Sequence, residues 1–344
     1  MKRIYCTPDD LLRIRVGAPL GAVAETMLAT RVVQRRNVAG FAGWRSQVRS
    51  AIPANFGVLA DILPADDSFL DLITPIRGAR SIAAGIEALH LVSRDEVRME
   101  VESLIRNRAR EGRAPLPAWT AELADRDGTA RRNVADAVEA FHSVAFAGRW
   151  AHIQSYLEQA AERMARTVAT EGVERMFAEL HPYVTWRAPV LEVHRQGDCL
   201  HDEYLDGRGM VIIPSMFAWP QPLTLTSLVD KDAPLMVVVP VLRDINDFTT
   251  AWGPRATNET LTALLGRTRA AALQVIAEGC STTELARRLG VSPATASEHA
   301  SILRESGLID SWRHRNAMRH EVTTLGAALL DGNVGNLGSN VRIA

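Results

Sequence analysis

The chain has 344 residues, 47% of them hydrophobic and 23% charged, and a formal charge of −1. That mixture excludes a disordered or collagen-like chain and is long enough for two domains with their own cores. The near-zero charge carries no nucleic-acid signature: from Arg255 onward there are 10 Arg against 8 Asp and Glu, a weak excess.

Three cysteines, Cys6, Cys199 and Cys280, are too few and too scattered for a disulfide framework. The start has no basic, then apolar, then small-residue order, and no apolar run reaches the roughly 18 residues of a membrane span. A cytoplasmic protein with no membrane partner is expected.

In chain order, Arg3 to Cys6 reads as a short strand, and Thr7-Pro8-Asp9-Asp10 as a cap, first-turn proline and acidic first turn. Apolar residues then recur at three and four over Ala22 to Val33, Phe41 to Ala51, Arg94 to Arg110, Thr129 to Phe146 and Trp150 to Leu180. The clearest stripe is Ile153, Leu157, Ala160, Met164 and Val168. After Pro182 the period changes. Val184 to Val193, Tyr204 to Pro214 and Leu235 to Leu242 are rich in Val, Ile and Leu, and predict a small antiparallel sheet with a turn at Arg195 to Asp198. The expected fold class is α+β: a mainly helical N-terminal domain with that sheet, followed by a C-terminal helical domain.

Phe248 to Asn258, with Gly253-Pro254, reads as a linker and Thr260 to Ala277 as one helix. Ser281 and Glu284 are spaced as a capping box, so a helix should start there and end at Gly290. Ser292-Pro293 places an N-cap and first-turn proline at the head of a second helix, which turns Ala296, Ala300 and Leu303 inward and stops at Gly307. Leu308-Ile309 and Met318 to Thr323 then predict two strands around His314-Arg315-Asn316. Two capped helices, a tight turn and a hairpin are the pattern of a winged helix-turn-helix.

Thr283-Glu284-Leu285-Ala286, Gly290-Val291-Ser292, Thr295 to His299, Leu303 and Gly307-Leu308-Ile309 resemble the ArsR-type winged-helix transcriptional regulators. The resemblance covers roughly Leu261 to Leu330. The preceding part is similar to the long N-terminal region found before such winged helices in regulators of high-GC Gram-positive bacteria, which names no ligand. The resemblance implies a transcriptional repressor; the motif itself points to double-stranded DNA, and a homodimer is expected because one recognition helix buries too little surface for operator affinity. Metal-sensing members carry a Cys-x-Cys pair where this chain has Leu285, Ala286 and Arg287, so no metal is expected there.

The domains expected are 1–250 for effector sensing and dimerisation, 251–332 for the winged helix, and 333–344 as a tail. Thr295, Ser297, Glu298 and Ser301 point away from the inward residues of the second helix and are the candidates for base or phosphate contact, with His299 beside them. Thr283 and Ser292 stand at helix starts, where backbone N–H groups can meet phosphate. Arg313, Arg315 and Arg319 are the candidates on the hairpin.

His194, Cys199, His201 and Asp202 would suit zinc by type, but strand alternation sends His194 and Cys199 to different faces, so no metal or other cofactor is expected. Trp186 and Trp219 flank the expected sheet and, with Val211 and Val237, are taken to line a pocket for a small apolar effector. No phosphate loop, nucleophile elbow or His-Glu-x-x-His is present, so the chain is not expected to be an enzyme. Two other readings stay open: an enzyme tethered to DNA, which predicts a pocket with paired titratable groups, and a protein-interaction module, which predicts few exposed arginines around the second helix.

Overall fold

A computed structural model describes residues 1–35, 41–65, 68–125, 128–180, 182–194, 201–242, 258–277, 279–314 and 317–330. The linker read at Phe248 to Asn258 lies almost wholly outside them, as do the Arg195 to Asp198 turn, Cys199, Arg315 and the tail.

Strand β1 (Lys2–Tyr5) leads into α1 (Pro8–Leu12), which starts because Thr7 and Asp10 cap each other reciprocally. The Thr7 hydroxyl accepts from the Asp10 N–H at 3.2 Å, and the Asp10 carboxylate accepts from the Thr7 N–H at 2.8 Å. Buried Asp10 also accepts from the Gly209 N–H at 2.8 Å, so the cap ties the first helix to a turn 199 residues away.

There follow β2 (Arg15–Val16), α2 (Ala22–Gln34), α3 (Ala42–Arg49), α4 (Phe56–Ile62), α5 (Ile73–Ile76), α6 (Ile82–Leu91) and α7 (Arg94–Arg110). After a 3₁₀ segment at Ala118–Ala124 come α8 (Thr129–Phe146), α9 (Trp150–Glu171) and α10 (Val173–Glu179). The stretch read as one helix from Trp150 to Leu180 is therefore two. Gly172 separates them at φ +88°, a backbone angle that side chains other than glycine's rarely accept.

Strands β3 (Val184–Arg187), β4 (Val190–Val193), β5 (His201–Tyr204), β6 (Met210–Ser215), β7 (Leu223–Leu225) and β8 (Leu235–Pro240) complete this part. The expected single antiparallel sheet is corrected: these strands form two mixed sheets. One has the order β3-β4-β1-β5, with β1 parallel to β5 and the other pairs antiparallel. The other has the order β2-β6-β8-β7, with β2, β6 and β8 parallel and β7 antiparallel to β8. All six residues of β6 and all six of β8 are buried, as expected of parallel strands covered on both faces. Ile4, Leu191, Val193, Ile212, Val237 and Val239 join Met176 and Phe177 of α10 and Leu180 just after it in one core.

The C-terminal elements are α11 (Asn258–Leu265), α12 (Arg267–Ile276), β9 (Cys280–Ser281), α13 (Thr282–Leu289), α14 (Pro293–Glu305), β10 (Ile309–His314), β11 (Ala317–Val322) and α15 (Thr324–Leu330). The stretch Thr260 to Ala277, read as one helix, is interrupted at Gly266, where φ is +80°. The chain divides into two compact units, 1–79 with 85–145 and 157–245, and 80–84 with 146–156 and 246–344. Among the described residues no helix is long and apolar enough to cross a membrane.

Helix α2 is buried on nearly every side, and Glu25 on it is fully enclosed. Burial raises its carboxyl to about 7, against the opposing effect of hydrogen bonds from Ser215, Phe217 and Met216. A folded-state value above the ordinary 4.5 stabilises the fold below that pH, and this contribution is lost as pH rises through about 7. Glu25→Gln is therefore expected to raise the unfolding free energy by about 3 kcal/mol at about pH 8 and by under about 1 kcal/mol at about pH 5. Urea titrations at the two pH values test this; an equal effect at both would contradict it.

Candidate nucleic-acid interface

The local sequence builds the C-terminal site from its caps inward. The Ser281 hydroxyl accepts from the Glu284 N–H at 3.3 Å and starts α13, which ends at Gly290 in the left-handed conformation, φ 67° and ψ 32°. The Val291 N–H returns to the Ala286 carbonyl at 3.1 Å, and Ser292 then caps α14 by accepting from the Thr295 N–H at 3.1 Å. The turn between the helices is thus fixed at both ends by side-chain and backbone bonds. Ala296, Ala300 and Leu303 of α14 are buried against Leu273 and Ile276 of α12, Leu285 of α13, and Leu308. Small alanines at the crossing let α14 lie close to its neighbours without steric conflict.

With the inward face so fixed, the 100° advance per residue places Ser297, Glu298 and Ser301 on the opposite side of α14. Ser297 and Glu298 are exposed and Ser301 is half-buried. Thr295 is half-buried and its hydroxyl is 2.8 Å from that of Ser292, so this pair completes the cap. Thr283 is exposed in the first turn of α13. His299 is half-buried, and its Nδ1 is enclosed without a hydrogen-bond partner. Arg287, Arg288 and Arg304 are also exposed on α13 and α14. These three lie on the helices rather than on the hairpin, where Arg313, Arg315 and Arg319 were the expected arginines.

Strands β10 and β11 pair antiparallel, with Arg313 opposite Met318 and Trp312 opposite Arg319. The first strand is longer than the Leu308-Ile309 expected for it. Alternation puts Arg313 on the face of Ile309, Ser311 and His320, and Arg319 on the face of Trp312 and Glu321. The two arginines therefore leave the hairpin in opposite directions. Arg319 is half-buried and its charge helps to offset the burial that raises the Glu321 carboxyl, together with a Ser81 hydrogen bond and Arg80. Arg313 is exposed, as are Trp312 and Met318. Arg315 lies outside the described residues.

His320 fixes the hairpin to the helices. Its Nε2 is 2.9 Å from the Thr282 hydroxyl at the start of α13, and its Nδ1 is 2.8 Å from the Ser311 hydroxyl on β10. Burial, with the nearby Arg304 charge, lowers its pKa and favours the neutral ring, in which one nitrogen donates to its hydroxyl and the other accepts.

The pocket expected from Trp186, Val211, Trp219 and Val237 is not formed by those residues. In the register of β6 and β8, Val237 pairs with Ile212 and Val211 with Met236, so Val211 and Val237 point to opposite faces of the sheet. The Trp186 indole donates to Glu174 at 3.1 Å and lies 5.5 Å from the Phe177 ring. Trp219 sits instead among Phe41 and Tyr183. Of the group weighed for zinc, His194 contacts the Thr185 hydroxyl at 3.0 Å and Asp202 pairs with Arg3 at 2.8 Å, while Cys199 lies outside the described residues.

A family model described as a helix-turn-helix domain matches residues 264–311, from the end of α11 through α14 to the first residues of β10. No curated protein and no solved structure matches the chain. The C-terminal part of this protein carries a helix-turn-helix domain.

Proposed function

We propose that the protein is a sequence-specific DNA-binding transcriptional regulator, in which α14 enters the major groove and the β10–β11 hairpin acts as a wing against the adjacent backbone. The observation that carries this reading is the capped, tightly packed α14, which turns Ser297, Glu298 and Ser301 outward in a unit that also exposes Arg287, Arg304 and Arg313. Serine hydroxyls can donate to or accept from base edges, and a carboxylate at Glu298 suits the amino group of a cytosine. Helix starts at Thr283 and Ser292 offer N–H groups to phosphates, and the arginines supply the charge that positions the domain. Those exposed arginines favour DNA over a protein-interaction module.

The proposed form is a homodimer, because one recognition helix buries too little surface for operator affinity and a two-fold pair reads two half-sites one helical turn apart. Repression in the cytoplasm, relieved by a small effector bound in the N-terminal part, is the mode that the resemblance to ArsR-type regulators supports. Selection of duplexes from a random pool by the full chain tests the reading. It should enrich a palindrome with half-sites about 10 base pairs apart; an unenriched pool would count against it.

A further inference from the structure

A cavity of about 330 Å³ opens between α9, α10 and the end of β8, and Trp186, Val211, Trp219 and Val237 are not among its lining residues. This volume is within the range that holds small organic ligands. Its interior is apolar: Met164, Met176, Leu180, Val239 and Pro240 line it, and Met176 and Val239 are almost fully buried. Its rim is cationic. Arg163 and Arg166, three apart on α9 and exposed, both border it, and neither has an ion pair among the described residues. The carboxylate on the lining, Glu179, is already engaged: Arg175 lies 3.4 Å from one oxygen and the Thr167 hydroxyl 3.4 Å from the other. Tyr183 donates its hydroxyl to the Leu242 carbonyl at 3.0 Å, so it presents mainly ring surface. The site lies at the carboxyl end of a parallel strand, where open α/β sheets commonly hold ligands.

We infer that this cavity is the effector site and that it takes an amphipathic organic acid, with an apolar body over Met164, Met176 and Val239 and a carboxylate at Arg163 and Arg166. A neutral molecule would leave the two guanidinium groups unused, and an organic cation would be repelled by them. The position also suits signalling. Helix α9 belongs to both compact units, its turns at 150–156 to the unit with the helix-turn-helix and the rest to the unit with the cavity. Strand β8, whose end lines the cavity, is the last described strand before the chain runs on to α11. A ligand wedged between α9 and β8 acts on both connections, and it shifts DNA affinity by as much as it prefers one arrangement over the other. This regulatory step rests on the DNA-binding reading above; the binding step does not.

The test titrates decanoate, decanol and decyltrimethylammonium calorimetrically into the full chain. Decanoate should bind saturably and tightest, and the cation weakest. Arg163→Gln with Arg166→Gln, at exposed positions, should weaken decanoate by about 10-fold or more and leave decanol unchanged. Met164→Trp, which fills the cavity, should weaken both, with circular dichroism confirming that each variant folds. Equal affinity for all three probes, no saturable binding of decanoate, or decanoate binding untouched by the arginine substitutions would overturn the site. Decanoate should also release the wild-type chain from its selected duplex and fail to release the double arginine variant; release of both alike would overturn the regulatory link. A chain that selects a duplex but binds no decanoate contradicts the cavity alone, and one that binds decanoate but selects no duplex contradicts the regulator reading alone.

Discussion

Replacing Ser297 and Ser301 together by Asp is expected to lower affinity for the selected duplex by on the order of 100-fold or more, with no change in the thermal midpoint. Both side chains lie on the outward face of α14, one exposed and one half-buried, so the substitution adds charge without emptying the core. Beside Glu298 it would set three carboxylates on one helical face, and like charges brought against phosphates cost several kcal/mol. Arg313→Ala on the hairpin should behave differently, weakening selected and random duplex about equally, because a phosphate contact carries no base information. Electrophoretic shifts with both duplexes separate the two patterns. If the double Asp variant binds as the wild type does, α14 is not the reading helix.

Leu303→Ala should destabilise the helix-turn-helix unit by about 2–5 kcal/mol, a large part of the marginal stability of a domain. Leu303 is 1% exposed and meets α12, α13 and Leu308, neighbours anchored in their own helices and turns that can close the resulting gap only in part. The expected signature is local. Amide exchange over α12 to α14 should quicken roughly 30-fold or more, while α2 in the other unit keeps its protection. Equal loss of protection in both units would mean that they unfold as one.

The helix-turn-helix was legible because its determinants are local. Ser281, Gly290, Ser292 and Pro293 each act within four residues of their own position, and the inward spacing of Ala296, Ala300 and Leu303 follows from the turn of the helix alone. The two mixed sheets were not, because parallel pairing joins β6 to partners in β2 that lie 196 residues earlier in the chain, and nothing in either strand names its partner. One signal was available. The unbroken apolar runs Met210 to Pro214 and Leu235 to Pro240 lack the alternation of a half-exposed antiparallel strand, and both are buried on two faces.

The expected effector pocket went wrong at the same point, since a register unknown from sequence decides that Val211 and Val237 face apart. On the hairpin, the positions of Arg313 and Arg319 were readable but their opposite directions were not, because direction follows from pairing. Nor does local pattern show that 80–84 and 146–156 group with the helix-turn-helix.

Affinity of the full chain for its selected duplex and for a scrambled one, measured from about 50 mM to 200 mM salt, decides whether the protein is a DNA-binding regulator. The predicted result is a log-linear fall with salt, about −0.9 in slope for each phosphate neutralised, less steep in Arg313→Ala, with the selected duplex bound more tightly throughout. Affinity that does not change with salt, or that is equal for the two duplexes, would contradict a sequence-specific DNA-binding protein.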